Sequence, residues 1–214
     1  MHLTIPEAIT YATRILVFTT FMASVCYLNT KDFDHKILIW ILSTSLLNEC
    51  TIFFLADTSF PLKTSQSILL SLHQILWLVL ISRFWKRRDK QTFLVGIVIF
   101  FLMDSLCIEG FESVACYTLV LTSLCYLTIF AAYSTKLLKN ENFNAFMADR
   151  FILLSAPLLF FFGMSAILGF RSNPLSTTEI NGIQLYKIVN ITINVTYYPL
   201  LLVYIYRQKK AYVI

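Results

Sequence analysis

The chain is predicted to be an all-α membrane protein, a seven-transmembrane-helix bundle with its N-terminus outside and its C-terminus cytoplasmic. Three observations carry this expectation. There are seven long apolar runs, the basic residues keep to alternate gaps between them, and the composition is 57% hydrophobic with only 14% charged. The runs lie near 12–28, 37–56, 66–85, 92–108, 114–134, 151–170 and 188–206. Each has about 17–21 residues, close to the roughly 20 that cross a bilayer core as a helix. Barrel strands are excluded, because they run about 9–11 residues and alternate in polarity.

Orientation follows from the gaps. Lys31 and Lys36 fall in the first, and Arg83, Lys86, Arg87, Arg88 and Lys90 at the third. Lys136, Lys139 and Arg150 fall in the fifth, and Arg207, Lys209 and Lys210 in the tail. Thirteen of the seventeen basic residues thus share one side, the exceptions being Arg14, Lys63, Arg171 and Lys187. Basic loops stay cytoplasmic, which sets the N-terminus outside. The opposite side carries acids instead: Glu7, Asp57, Glu109, Glu112 and Glu179.

With 214 residues, the chain is expected to form one integral membrane domain, 1–214, since its longest gaps, about 135–150 and 171–187, are too short to fold alone. The net charge of +5 needs no nucleic-acid partner, because the positive-inside bias accounts for it. Membrane lipid is the partner that composition demands. The first run is not read as a removable signal. Glu7 precedes it without a basic leader, and Lys31-Asp32-Phe33-Asp34 follows where a cleavage site would need small residues.

Five cysteines cannot form a complete disulfide framework. Cys26, Cys50 and Cys125 read as small apolar packers within helices. Cys107 and Cys116 flank the outer gap between runs 4 and 5, where an oxidising compartment would permit a bridge. The sequons at Asn190-Ile191-Thr192 and Asn194-Val195-Thr196 lie inside run 7 and are chance matches.

Polar side chains in hydrocarbon are costly, so they face the bundle interior and mark a pathway, a binding site or a clamp. Glu49, in Leu46-Leu47-Asn48-Glu49-Cys50, lies roughly 10 Å below the outer end of run 2 at about 1.5 Å per residue. His73 and Gln74 lie at about the same depth in run 3. Asp104 is shallower, within about two turns of the outer end of run 4. Asn190, Asn194 and Tyr197 follow i, i+4, i+7 spacing and share one face of run 7, which Tyr186 extends outward. Glu49, His73, Gln74 and Asn194 are therefore expected in one outer layer, with Arg14 and Asp104 above it. Two readings stand for this layer. It is a polar pocket for a small ligand, ion or proton, or a clamp in which Glu49 pairs with His73 and fastens the helices.

Pro157 and Pro199 are expected to kink runs 6 and 7 in their cytoplasmic halves. The Phe160-Phe161-Phe162 run reads as lipid-facing. Runs 3 and 7 end alike: His73 is thirteen residues before Lys86, and Asn194 thirteen before Arg207. A three-plus-one-plus-three arrangement, with runs 1–3 and 5–7 as parallel repeats, would produce that coincidence.

Several chemistries find no residues to carry them. A retinal protein needs a buried lysine near the middle of run 7, and Lys187 sits at its outer edge. A zinc hydrolase needs about three converging ligands, yet of His2, His35 and His73 only the last is within the membrane. No Gly-x-Ser-x-Gly elbow, phosphate loop or Cys-x-x-Cys occurs. No enzymatic activity and no cofactor are expected.

The arrangement of Leu47-Asn48-Glu49, Ser71-Leu72-His73-Gln74, a long run 5 ending in a basic gap, and Lys187-Ile188-Val189-Asn190-Ile191-Thr192-Ile193-Asn194 resembles a group of small seven-transmembrane-helix proteins common in Bacteroidetes. The likeness covers nearly the whole chain on loose motifs. Tyr186-Lys187 stands where that group often has a His. Some members are encoded near histidine kinases, so the resemblance implies a sensory or accessory role in a bacterial inner (cytoplasmic) membrane, with a histidine kinase as partner. The resulting expectation is a non-enzymatic receptor or sensor subunit. Its ligand layer is Glu49, His73, Gln74, Asp104, Asn190, Asn194 and Tyr197. Its docking face for a membrane or cytoplasmic protein is Arg83, Lys86, Arg87, Arg88, Lys90, Lys136 and Lys139. The alternatives are a small-solute or proton-coupled transporter or channel component, and a structural subunit of a larger membrane complex.

Overall fold

A computed structural model describes residues 5–55, 62–84, 87–110, 115–169, 179–180 and 183–213. The elements are α1 (Ile5–Tyr27), α2 (Phe33–Leu55), α3 (Leu62–Ile81), α4 (Arg87–Met103), α5 (Cys116–Lys139), α6 (Asp149–Ser155), α7 (Leu158–Gly169) and α8 (Leu185–Val213). A 3-10 turn, Ser82–Phe84, follows α3, and a π-helical turn, Asp104–Ile108, ends α4. Before α8, Glu179 and Ile180 pair antiparallel with Gln184 and Ile183. Among the described residues, six helices are long and apolar enough to cross a membrane: Phe33–Leu55, Leu62–Ile81, Gln91–Ile108, Cys116–Lys139, Asp149–Ile167 and Ile188–Lys210. Their length and composition mark an integral membrane protein. α1, with 23 residues, matches them in length.

The helices outrun the apolar stretches because a helix does not stop where lipid does. Asp32 Oδ1 accepts the Asp34 N–H at 2.9 Å and caps the start of α2, four residues before the apolar run. α4 begins in Arg87-Arg88-Asp89-Lys90, and α8 continues past Arg207, Lys209 and Lys210. Run 6 is two helices. Pro157 has no N–H to donate, so the ladder breaks between Ser155 and Leu158, with Ala156 N–H on Ile152 O (3.1 Å) before it and Phe161 N–H on Pro157 O (2.9 Å) after it. Pro199 leaves α8 continuous.

Alongside an apolar core, the described residues combine a largely apolar exposed surface with buried polar side chains. Ile15, Phe54, Leu106 and Phe162 are more than half exposed, while Ser67, Ser71, Gln74, Asp104, Thr118, Thr122 and Ser123 are buried. In water such apolar surface would invite aggregation, whereas in lipid it is the favoured surface. Hydroxyls within the helices return to their own backbone, as Thr20 does to Leu16 O (2.7 Å) and Ser43 to Ile39 O (2.8 Å).

The chain forms two compact units: a central unit, Thr30–Ala131, and a terminal unit, Met1–Asn29 with Ala132–Ile214. In the central unit α2 packs on α3, and α3 on α4. In the terminal unit α1, α6 and α7 each pack on α8. Gly163 lets α7 approach α8 closely, since a Cβ there would meet Ile193 Cδ1 at 2.2 Å and Cγ1 at 2.8 Å. No disulfide joins Cys107, which is exposed, to the buried Cys116. Cys26 is exposed, and Cys50 and Cys125 are half-buried, so Cys26 is not the interior packer expected.

Candidate functional site

The polar residues of the central unit form three joints along α3. The first fastens α3 to α2. His73 Nδ1 lies 3.1 Å from Ser45 Oγ and 3.4 Å from Thr44 Oγ1. Both hydroxyls are also within hydrogen-bonding distance of the Ile41 carbonyl, at 3.3 and 2.7 Å, and which group donates to which follows from the ring tautomer. Glu49 is half-buried one turn beyond Ser45, on the same face of α2. The hydroxyls of Thr44 and Ser45, which carry no signal of their own in the sequence, lie on the Nδ1 side of His73.

The second joint fastens α3 to α5. Gln74 is fully buried: Thr122 Oγ1 bonds its carbonyl oxygen, and its Nε2 donates to Ser123 Oγ at 3.3 Å. Deeper along the same two helices, Trp77 and Tyr126 meet edge to face at 6.2 Å, both fully buried. Ser67, Ser71 and Gln74 are spaced i, i+4, i+7 on α3, and Thr118 and Thr122 i, i+4 on α5. That periodicity is the signal that would have found the seam.

The third joint caps α5. A helix begins with N–H groups that have no partner within it, and these attract negative charge. Ala115 N–H donates to Ser67 Oγ at 3.0 Å, and Cys116 N–H to Glu109 Oε2. Thr118 N–H and Oγ–H both donate to Asp104 Oδ2, at 2.9 and 2.7 Å. Asp104, expected as a pocket residue, is buried with one carboxylate oxygen committed to this cap. The π-helical turn brings it there, with Glu109 N–H reaching back five residues to Asp104 O at 2.9 Å.

The remaining expected pocket residues belong to the terminal unit. Asn194 Nδ2 donates to Asn190 O (2.8 Å) and Asn190 Oδ1 (3.2 Å), a pairing within α8. Tyr197 is fully buried, its ring 5.6 Å from Phe160 and 4.8 Å from Tyr198. Of the Phe160-Phe161-Phe162 run, Phe161 is buried and only Phe162 is strongly exposed. Arg14 is half-buried, its guanidinium 5.9 Å from the Tyr11 ring centroid.

At the basic ends, each unit carries an Asp–Arg clasp. In the central unit Arg83 pairs with Asp34 in the first turn of α2 and stacks over Phe33 at 5.4 Å. In the terminal unit Arg207 Nε pairs with Asp149 Oδ1 at 2.6 Å, in the first turn of α6, and also donates to Met147 O at 3.1 Å. Gln208 Nε2 donates to Asp149 Oδ2 at 2.7 Å. Neither aspartate was singled out from sequence, though each stands a residue or two inside a helix that starts on the basic side. Lys136 and Lys139 are exposed in the last turn of α5. Lys86, Asp57, Glu112 and Arg171 lie outside the described residues, as do the side chains of Glu7, Arg87, Arg88, Lys90, Glu179, Tyr186 and Lys187.

Among the described residues, no three or more His, Cys, Asp or Glu side chains converge as a metal site. No protein family, no curated protein and no solved structure matches the chain.

Proposed function

We propose that the chain is a non-enzymatic receptor or sensor subunit. It crosses a bacterial cytoplasmic membrane seven times, N-terminus outside, and signals through a separate cytoplasmic partner. The observation that carries this reading is the placement of Glu49. It is a half-buried carboxylate one turn outward of Ser45, on the α2 face whose hydroxyls hold buried His73. A polar ligand engaging Glu49 acts one turn from the contact that joins α2 to α3. Those helices are joined again at their basic ends by Asp34 and Arg83, so a shift at the outer joint has a rigid path to the inner one. Partner docking falls to the basic residues Arg83, Lys86, Arg87, Arg88, Lys90, Lys136 and Lys139, on the side that the positive-inside rule makes cytoplasmic. A histidine kinase is the partner class we favour.

A second reading, a small-solute or proton-coupled transporter, draws on the two clasps. Asp34–Arg83 and Asp149–Arg207 join the start of one helix to the end of a later one in runs 2–3 and 6–7 alike. Parallel repeats of that kind are common in transporters.

Copurification from the native membrane separates the two. The sensor reading expects a signalling protein to be retained, and lost when Arg87, Arg88 and Lys90 are changed to Gln. It also expects Glu49→Gln to abolish the ligand response while the partner stays bound. Solute or proton flux into proteoliposomes that disappears in Glu49→Gln would replace the sensor with the transporter.

A further inference from the structure

α3 and α5 run parallel in constant register. Ser67 meets Ala115, and Gln74 meets Thr122, each pair 48 residues apart. The same offset sets Ser71 at the level of Leu119, next to Thr118. Ser71 is 2% exposed, and its Oγ has no hydrogen-bond partner among the described residues. Thr118 holds Asp104 by Oδ2 alone, and Asp104 Oδ1 likewise has no partner among them. Two buried oxygens, one of them on a carboxylate, therefore have no partner among the described residues, at levels of α5 one residue apart.

Each such group costs about 1–3 kcal/mol, and more when it is charged. The α5 N-terminus offsets part of the carboxylate's charge, with the equivalent of about half a positive charge. Among the described residues, no lysine or arginine pairs with Asp104 to offset the rest. Carboxylate and hydroxyl oxygens are hard ligands, which suit a hard cation. One carboxylate matches one positive charge. A divalent ion would be left with excess charge in a low-dielectric interior, where uncompensated charge is expensive.

We propose that Asp104 Oδ1 and Ser71 Oγ are ligands of a binding site for a small monovalent cation, of which sodium is the test case. The site is independent of the sensor and transporter readings above. It stabilises the α3–α4–α5 arrangement whichever of them holds.

The test uses the full chain in detergent or lipid nanodiscs. Melting temperature is measured in sodium chloride against choline chloride at equal ionic strength, and binding of radiolabelled sodium is measured in parallel. The expected result is a saturable, sodium-specific rise of roughly 3–5 °C at ten times Kd. Asp104→Asn should abolish the rise and the binding, since the amide nitrogen then takes the place of Oδ1. Ser71→Ala leaves every cap of α5 in place and should weaken binding severalfold. A melting temperature that follows ionic strength alone means the layer holds water or a proton, and overturns the proposal. Sodium binding of wild-type strength in Ser71→Ala or Asp104→Asn overturns it as well.

Discussion

In the central unit, α3 meets α5 through the Gln74 amide between the Thr122 and Ser123 hydroxyls, and α2 through His73 on Thr44 and Ser45. In the terminal unit, α7 meets α8 through Gly163 under Ile193 and through Phe160 against Tyr197. The polar pair that α8 does carry, Asn190 and Asn194, bonds within its own helix among the described residues. Lipid tails are as apolar as leucine, so burying a leucine between two helices gains little over leaving it in lipid. Helices in a membrane are held instead by close van der Waals fit or by hydrogen bonds that hydrocarbon cannot replace. Away from the clasps at the basic ends, the contacts of α3 use the second means and those between α7 and α8 the first. The difference places the polar, adaptable chemistry in Thr30–Ala131.

The contrast can be broken most forcefully at Gly163. Gly163→Leu puts a Cβ where Ile193 already stands, and is expected to cost about 2–3 kcal/mol. Unfolding in mixed micelles measures this, and Ile193→Ala should restore part of the loss. Full stability in Gly163→Leu would show that close approach does not hold the terminal unit.

A smaller effect is expected in the polar unit. Gln74→Leu should cost about 1–2 kcal/mol, because it removes two interhelical bonds while the Thr122 hydroxyl keeps its own backbone partners, Thr118 O and Leu119 O. Asn194→Leu, the matching change in α8, should be close to neutral. Equal costs for the two would erase the distinction between the units.

The clasps should give the smallest effects and the most similar ones. Both lie at water-facing helix ends, with Arg83 and Arg207 each about 40% exposed in their side chains (43% and 41%). Double-mutant cycles on Asp34–Arg83 and Asp149–Arg207 are expected to give about 0.2–1 kcal/mol each, shrinking as salt is raised. A clasp insensitive to salt would have to be held by something other than charge.

The six recorded spans were legible as apolar runs because entry into lipid is a property of each stretch by itself. Their ends were less so. Run 6 was read as one helix kinked at Pro157, and it is one span, Asp149–Ile167, whose hydrogen-bond ladder breaks between α6 and α7 at that proline. The start of α2 lies at Asp32, outside the apolar run, because an N-cap is chosen by a polar side chain. Within the site, His73, Gln74 and Asp104 were singled out correctly as buried, since polar residues are few in such runs. Their partners were not. Thr44, Ser45, Thr118, Thr122 and Ser123 are common small residues in membrane helices, and only the i, i+4 spacing of such residues sets any of them apart.

The sequence by itself determined that this chain belongs in lipid and which residues would be costly there. Both follow from the transfer free energy of each side chain, which needs no knowledge of a neighbour. Only the tertiary structure decided how those residues are satisfied. Gln74 faces α5, Asp104 completes the α5 cap with one oxygen, and its other oxygen and Ser71 Oγ are buried without a partner among the described residues. Such pairings depend on helix rotation and register. A helix that is apolar all round carries no stripe from which rotation could be read.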